Sequence, residues 1–331
     1  MKGFRRTAVV GVAVGGLCTA LAVPGTPAQA DANGVHTIAT GFAGPLHVAV
    51  APNGLVYVAD AFAGQIDRVN PGTGAITTVV QGNGFTPGVE VLGQQVYFTE
   101  SVEPESGDAP GTARLMRTTP DGEVTPVADL LQWELDHNPD GQPQGTGEDA
   151  DSNPYSVLVL PGRVLVGDAA GNDIVEVRRN GAMRTLVRFP VSTDGDCASN
   201  TNNGVPNGGC DPVPTDMALG PDGFLYVSGL GAEVEGHIWK VNATTGQIVN
   251  HWGGFPPLTG IAVANNGTIY AASLFTGMIF RIAGSSMSAA DVPGPAGLDW
   301  ARGVLYAGTV DFEGGPGSLV TVGPAAFHPL S

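Results

Sequence analysis

The chain repeats one short pattern of apolar and polar positions six times. A first apolar or alternating run occurs as "HVAV" (47–50), "VEVL" (89–92), "SVLVL" (156–160), "DMAL" (216–219), "GIAV" (260–263) and "GLDW" (297–300). Each is followed by a second run, in order "LVYVAD", "QVYFTE", "RVLVGD", "FLYVSG", "TIYAAS" and "VLYAGT". A third run closes each copy: "IDRV", "LMRT", "IVEV", "IWKV", "IFRI" and "SLVTV". Runs of this length and period are strands rather than helices. Asn53-Gly54, Asp222-Gly223 and Asn266-Gly267 supply hairpin turns between the first two strands of three copies.

Aligned on Tyr57, Tyr97, Leu165, Tyr226, Tyr270 and Tyr306, the copies are spaced by 40, 68, 61, 44 and 36 residues. A period near 40 built from short strands is that of a β-propeller blade, a unit that buries its faces only by stacking on neighbours. The prediction is one all-β domain over 31–331, a six-bladed β-propeller of four-stranded antiparallel blades. The last copy lacks a fourth strand, and "VHTIAT" (35–40) has no blade of its own. The N-terminal strand is therefore expected to complete the sixth blade and close the ring. The surplus residues fall at 101–113, 132–153, 192–213 and 230–236, where inter-blade links and second-to-third-strand loops share one face. Tight turns such as "NPGTG" and "TPDGE" occupy the other. Long loops on one end of a rigid scaffold are the expected functional face.

The first residues alter the picture of the mature chain. Lys2, Arg5 and Arg6 precede an apolar run from Thr7 to Val23, and "AQA" follows at 28–30. This is the layout of a secretory signal peptide, 1–30, with an apolar core too short to span a membrane. Its removal takes the formal charge from −17 to −20 and leaves Lys240 as the single lysine. So acidic a chain repels nucleic acid and anionic membrane alike. The expectation is a secreted, extracytoplasmic monomer with no membrane anchor. Cys197 and Cys210, 13 positions apart in a Gly/Asn-rich stretch, are expected to form a disulfide in that setting.

Candidate chemistry lies in three places. Asp60, Glu100 and Asp168 end the second strand in copies one to three, where Gly229, Ser273 and Thr309 stand in the others. This half-ring of acid has two readings: each carboxylate staples the adjoining loop by accepting N–H bonds, or the three share a hard cation such as calcium. The first-strand positions facing the axis read His47, Val89, Ser156, Asp216, Gly260 and Gly297. Of these, His47 and Asp216 titrate; across the channel, about 10 Å apart, they form a candidate acid–base pair. In the insertion, "DLLQWEL" predicts a helical turn or two. Asp136-x-Asn138-x-Asp140-Gly141 then matches the first half of a calcium loop, whose closing carboxylate is displaced by one residue to Glu148. Calcium is the one cofactor candidate. No nucleophile elbow, zinc-protease pair, phosphate loop or dinucleotide fingerprint occurs.

The blades, 45–70 above all, are similar to NHL-type repeats. "DSNPYSVLVLPGRVLVGDAAGNDIVEV" (151–177), "DPVPTDMALGPDGFLYV" (211–227) and "ELDHNPDG" resemble the ScyD/ScyE family of exported bacterial propellers. That resemblance implies fold and export, carries no reaction, and draws attention to Glu134, Asn138, Asp151, Asn153 and Tyr155. Propeller lyases that inactivate streptogramins share the strand end Phe98-Thr99-Glu100, without an evident match to their catalytic histidine pattern. Gluconolactonase-type enzymes place a metal-binding Glu near the start of the first blade, where this chain reads "GPLHVAV". The leading reading is a non-catalytic propeller that binds a small molecule or protein partner through its acidic loop face. The alternative is a calcium-dependent hydrolase, lactonase or lyase at the channel mouth.

Overall fold

Alternating strands with Gly-centred turns leave each sheet an apolar face on both sides, and the chain buries them by placing six sheets around one axis. The computed structural model describes residues 34–102, 111–119, 122–141, 152–202 and 205–330; the expected signal peptide lies outside them. Blade 1 comprises Pro45–Val50, Val56–Asp60, Gln65–Val69 and Ile76–Gln81, each antiparallel to the next. Blades 2 to 5 repeat that order from first strands Val89–Leu92, Pro154–Leu160, Pro214–Leu219 and Gly260–Val263. Blade 6 contains Pro295–Ala301, Val304–Thr309 and Gly317–Val322, and its outer strand is the N-terminal Val35–Phe42. Pairing from Val35↔Val322 to Phe42↔Gly317 closes the ring as expected. One addition was not foreseen: His328–Pro329 pairs with Ser286–Asp291 and gives blade 5 a fifth strand.

Among the described residues the core is a circle of apolar clusters, one at each of the six blade interfaces, with a seventh around Leu46, Ala61, Ala296 and Val310 at the loop end of the channel. Between blades 1 and 2, Ala49, Ala59 and Ile66 face Val89, Phe98 and Met116. Between blades 6 and 1, Ile38 and Phe42 of the closing strand pack on Val48, Val56 and Val58. Fully buried side chains such as Phe98 and Phe42 each contribute on the order of 1.5–3 kcal/mol. The hairpin turns are built alike: Gly54, Gly223 and Gly267 take φ of 90°, 79° and 82°, where a side chain is strained. Asn53, Asp222 and Asn266 accept N–H bonds from Leu55, Phe224 and Thr268 across those turns.

The helix Leu130–His137 follows blade 2. Asp129 caps it by accepting from the Gln132 N–H at 3.0 Å, and Leu130 and Glu134 are its buried positions. Cys197 and Cys210 are disulfide-bonded and both are buried, tying the turn Gly195–Ser199 to the bridge Ser192↔Cys210. No helix among the described residues is long and apolar enough to cross a membrane.

Candidate functional site

The carboxylates that end the second strands are each engaged with the segment entering their own blade. Asp60 Oδ2 and Oδ1 accept the N–H groups of Ala43 and Gly44 at 3.0 and 2.6 Å. Glu100 Oε2 accepts from the Asn83 N–H at 2.8 Å. Asp168 accepts from the Asn153, Ala170 and Gly171 N–H groups and from the Ser152 hydroxyl. All three are buried, and the half-ring holds three separate segments. Asn153 returns its carbonyl to the Ala169 N–H, so its main chain is also structural.

Beside Asp168, the helix and the third strand of blade 3 bring more acid together. Burial, then Asp140 and Asp168, push the Glu134 carboxyl up to about 8. Burial and Asp168 likewise push Asp173 well above the usual carboxylate range. The calcium half-match does not converge here. Asp136 lies on the exposed side of the helix and accepts from Gln132 at 2.9 Å, while Asn138 is its left-handed cap, with φ 42°. Asp140 turns the other way, buried, accepting from Asn172 at 3.4 Å. Glu148 and Asp151 lie outside the described residues. Among the described residues no group of three or more metal-ligating side chains is placed to hold an ion, so no step is routed through a metal.

Inside the channel the pairing register corrects one axial position. His47, Ser156, Asp216 and Gly260 pair with Ala59, Gly167, Ser228 and Ala272. The corresponding Thr99 of blade 2 exchanges hydrogen bonds with Gly88, not Val89. Val89 points into the cluster between blades 1 and 2. Counting from the blade's proline misleads, because Pro87 stands one place later than Pro45, Pro154 and Pro214 do.

His47 and Asp216 come from opposite blades and meet in direct contact, not across an open channel: Nε2 to Oδ1 is 2.9 Å. The pair therefore bridges the axis. Asp216 also accepts from the Met217 and Ile261 N–H groups at 2.7 and 2.9 Å, which fixes its orientation. Burial works against charge on His47, but Asp216, with Glu90 and Asp299 behind it, raises its pKa. Two residues further along the first strands, opposite Tyr97 and Tyr306, stand Glu90 and Asp299. The alternation of "VEVL" and "GLDW" carries them, with nothing in the sequence to mark them apart from other strand residues.

All four groups line one cavity of about 200 Å³ that runs from the His47–Asp216 bridge toward the tight-turn end, reaching Leu219, Val263 and Trp300. Burial, then Asp299, push Glu90 up to about 7; burial raises Asp299 to about 6 against the N–H bond from Val50. On the loop side of the bridge the surroundings are apolar. Half-buried Tyr155 lies 6.3 Å from Phe85, which stacks on exposed Phe62 at 6.2 Å. Burial and Asp216 raise the Tyr155 phenol above its ordinary value.

No protein-family model and no curated protein matches this sequence. Solved structures of similar fold do. A PQQ-bound aldose sugar dehydrogenase from Streptomyces coelicolor matches at 16% identity over 91% of this chain and 99% of its own, with TM-score 0.58. A gluconolactonase from Xanthomonas campestris matches at 15% identity, 92% and 98% coverage and TM-score 0.55. A catalytically inactive histidine-to-alanine variant of Staphylococcus aureus virginiamycin B lyase, solved with quinupristin, matches at 15% identity, 86% and 96% coverage and TM-score 0.50. At these identities the likeness establishes the six-bladed propeller fold.

Proposed function

We propose that this chain is an exported small-molecule hydrolase or lyase that works by acid–base catalysis in the axial channel. The observation that carries the reading is the gathering of His47, Glu90, Asp216 and Asp299 around one cavity of about 200 Å³. Glu90 and Asp299, whose surroundings hold their proton affinities near neutrality, make a donor–acceptor set with the His47 imidazole. Glu90 is the group poised to exchange a proton with a bound substrate. His47 supplies the cationic partner, and Asp216 orients it. Asp299 keeps a second proton in reserve.

A cavity this small admits the reacting group of a substrate rather than a whole drug-sized molecule, for which about 300–1,000 Å³ is usual. A strained ester such as a lactone fits that description: water adds to the carbonyl as Glu90 takes its proton, and the ring oxygen leaves as an alcohol carrying a proton from the imidazolium. Structural neighbours that include a gluconolactonase and a virginiamycin B lyase are consistent with this reading, and the ScyD/ScyE resemblance with export. The acidic loop face loses its place as the recognition surface, because Asp60, Glu100 and Asp168 are already engaged by main-chain donors.

The test is a panel of lactones and a streptogramin B depsipeptide, assayed with wild type, His47→Gln and Glu90→Gln. Turnover by wild type, with each substitution lowering kcat about 10²- to 10⁴-fold, is expected. Turnover unaffected by both substitutions sinks the assignment. Saturable binding without turnover returns the chain to the non-catalytic reading.

A further inference from the structure

A second cavity, of about 530 Å³, lies between blades 2 and 3 at the tight-turn end. Arg117, Arg163, Arg178 and Arg179 line it, four of the fourteen basic residues in a chain of net charge −17, and among the described residues no carboxylate does. Like charges gathered in one cavity repel one another, and a nearby carboxylate or a bound anion relieves that cost. One compensator is present behind the wall. Glu176, almost wholly buried, accepts from Arg163 at 2.6 Å, Arg184 at 2.7 Å and Arg178 at 3.0 Å. One carboxylate against three guanidinium groups leaves positive charge over, before Arg117 and Arg179 are counted. The Nε–H of Arg117 is buried and has no acceptor among the described residues. A buried guanidinium donor without a partner is costly, and a bound oxyanion is the ordinary way to satisfy one.

The rest of the lining is apolar: Tyr97, Val127, Leu160, Val164 and Val177 form the wall. We infer that this cavity binds an organic oxyanion, a carboxylate or phosphate ester carried on an apolar body, with its head on Arg117 and Arg179. Its volume falls in the range of sites that enclose small molecules. Arg163 acts as a positioning residue, since Glu176 and the Ala243 carbonyl at 2.6 Å hold its guanidinium in place. The inference is independent of the channel chemistry: its residues belong to a different cavity.

The experiment is calorimetric titration of the full mature protein at low salt with phenyl phosphate, phenylacetate and inorganic phosphate. One-site saturation by a phenyl-bearing anion is expected, about tenfold or more tighter than inorganic phosphate because the ring is buried. Phenyl phosphate against phenylacetate identifies the preferred head. Arg117→Gln/Arg179→Gln, checked for native circular dichroism, is expected to weaken binding about tenfold or more. His47→Gln is expected to leave it unchanged. Should the double variant fail to fold, Arg179→Gln alone, at an exposed side chain, takes its place. No saturation at millimolar anion, or equal affinity in wild type and variant, overturns the inference.

Discussion

Asp60 illustrates how a strand-end carboxylate can look catalytic and be structural. Its two oxygens satisfy the N–H groups of Ala43 and Gly44, so the side chain does for the entry to blade 1 what a cap does for a helix. Asp60→Ala leaves the buried Gly44 donor and the part-buried Ala43 donor unpaired and is expected to cost about 1–3 kcal/mol in denaturant unfolding. The substitution is expected to leave the affinity of channel ligands unchanged in any protein that remains folded. An undiminished unfolding free energy would show that the carboxylate has some other task. Much of this residue's role was legible: the repeated strand end made a staple one of its two readings. The entering segment it holds was not, because Gly44 and Asp60 are brought together only by the β-bulge between Pro45 and His47.

At the scale of an element, the first strand of blade 2 shows where a repeat pattern stops being informative. Alternation identified the strand, but it does not say which residue meets the axis, since a one-place slip turns every side chain to the other face. Contact with the next blade decides it. A Cβ on Gly88 would lie 2.9 Å from the Tyr155 carbonyl oxygen and 3.1 Å from the Ser156 Cα. Backbone of blade 3 is on the other side and does not yield easily. Gly88→Ala is therefore expected to destabilise the protein by about 1–3 kcal/mol, the usual range for overpacking. A neutral result in thermal unfolding would place Gly88 away from that interface. The same limit hid Glu90: its strand was evident in the pattern, while its approach to Asp299 from the far side of blade 1 depends on ring closure. Helix Leu130–His137 was foreshadowed by its apolar residues, while Asp136 of the calcium-like spacing lies within that helix and Asp140 turns inward, and Glu148 lies outside the described residues.

For the whole molecule, the two kinds of buried carboxylate pull stability in opposite directions with pH. Glu176 is pushed upward by burial but held down by Arg184, Arg178 and Arg163, reaching about 2 from 4.5. Its contribution is complete above about pH 4.5 and is lost as pH falls toward 2, because the unfolded chain binds the proton first. Glu90, raised from 4.5 to about 7, and Asp299, raised from 3.8 to about 6, do the reverse. They keep their protons in the folded chain after the unfolded chain has released them, so stability falls as pH rises through those intervals. His47, also raised, loses its contribution with rising pH as well. The thermal midpoint is therefore expected to peak on the acid side of neutrality, near the 4.5 from which both glutamates depart, and to decline toward alkaline pH. Circular dichroism melts across the pH range check this. Glu90→Gln/Asp299→Asn is expected to make the alkaline decline shallower, the remainder belonging to Glu134 and Asp173, and to leave the acid arm in place, whereas Glu176→Gln lowers the midpoint at neutral pH and shrinks the acid arm, part of which belongs to Asp222. A wild-type midpoint that is level or climbs between the acid peak and neutrality would mean that the channel acids release their protons in the folded chain as early as in the unfolded one, leaving Glu90 too weak a base for its proposed role.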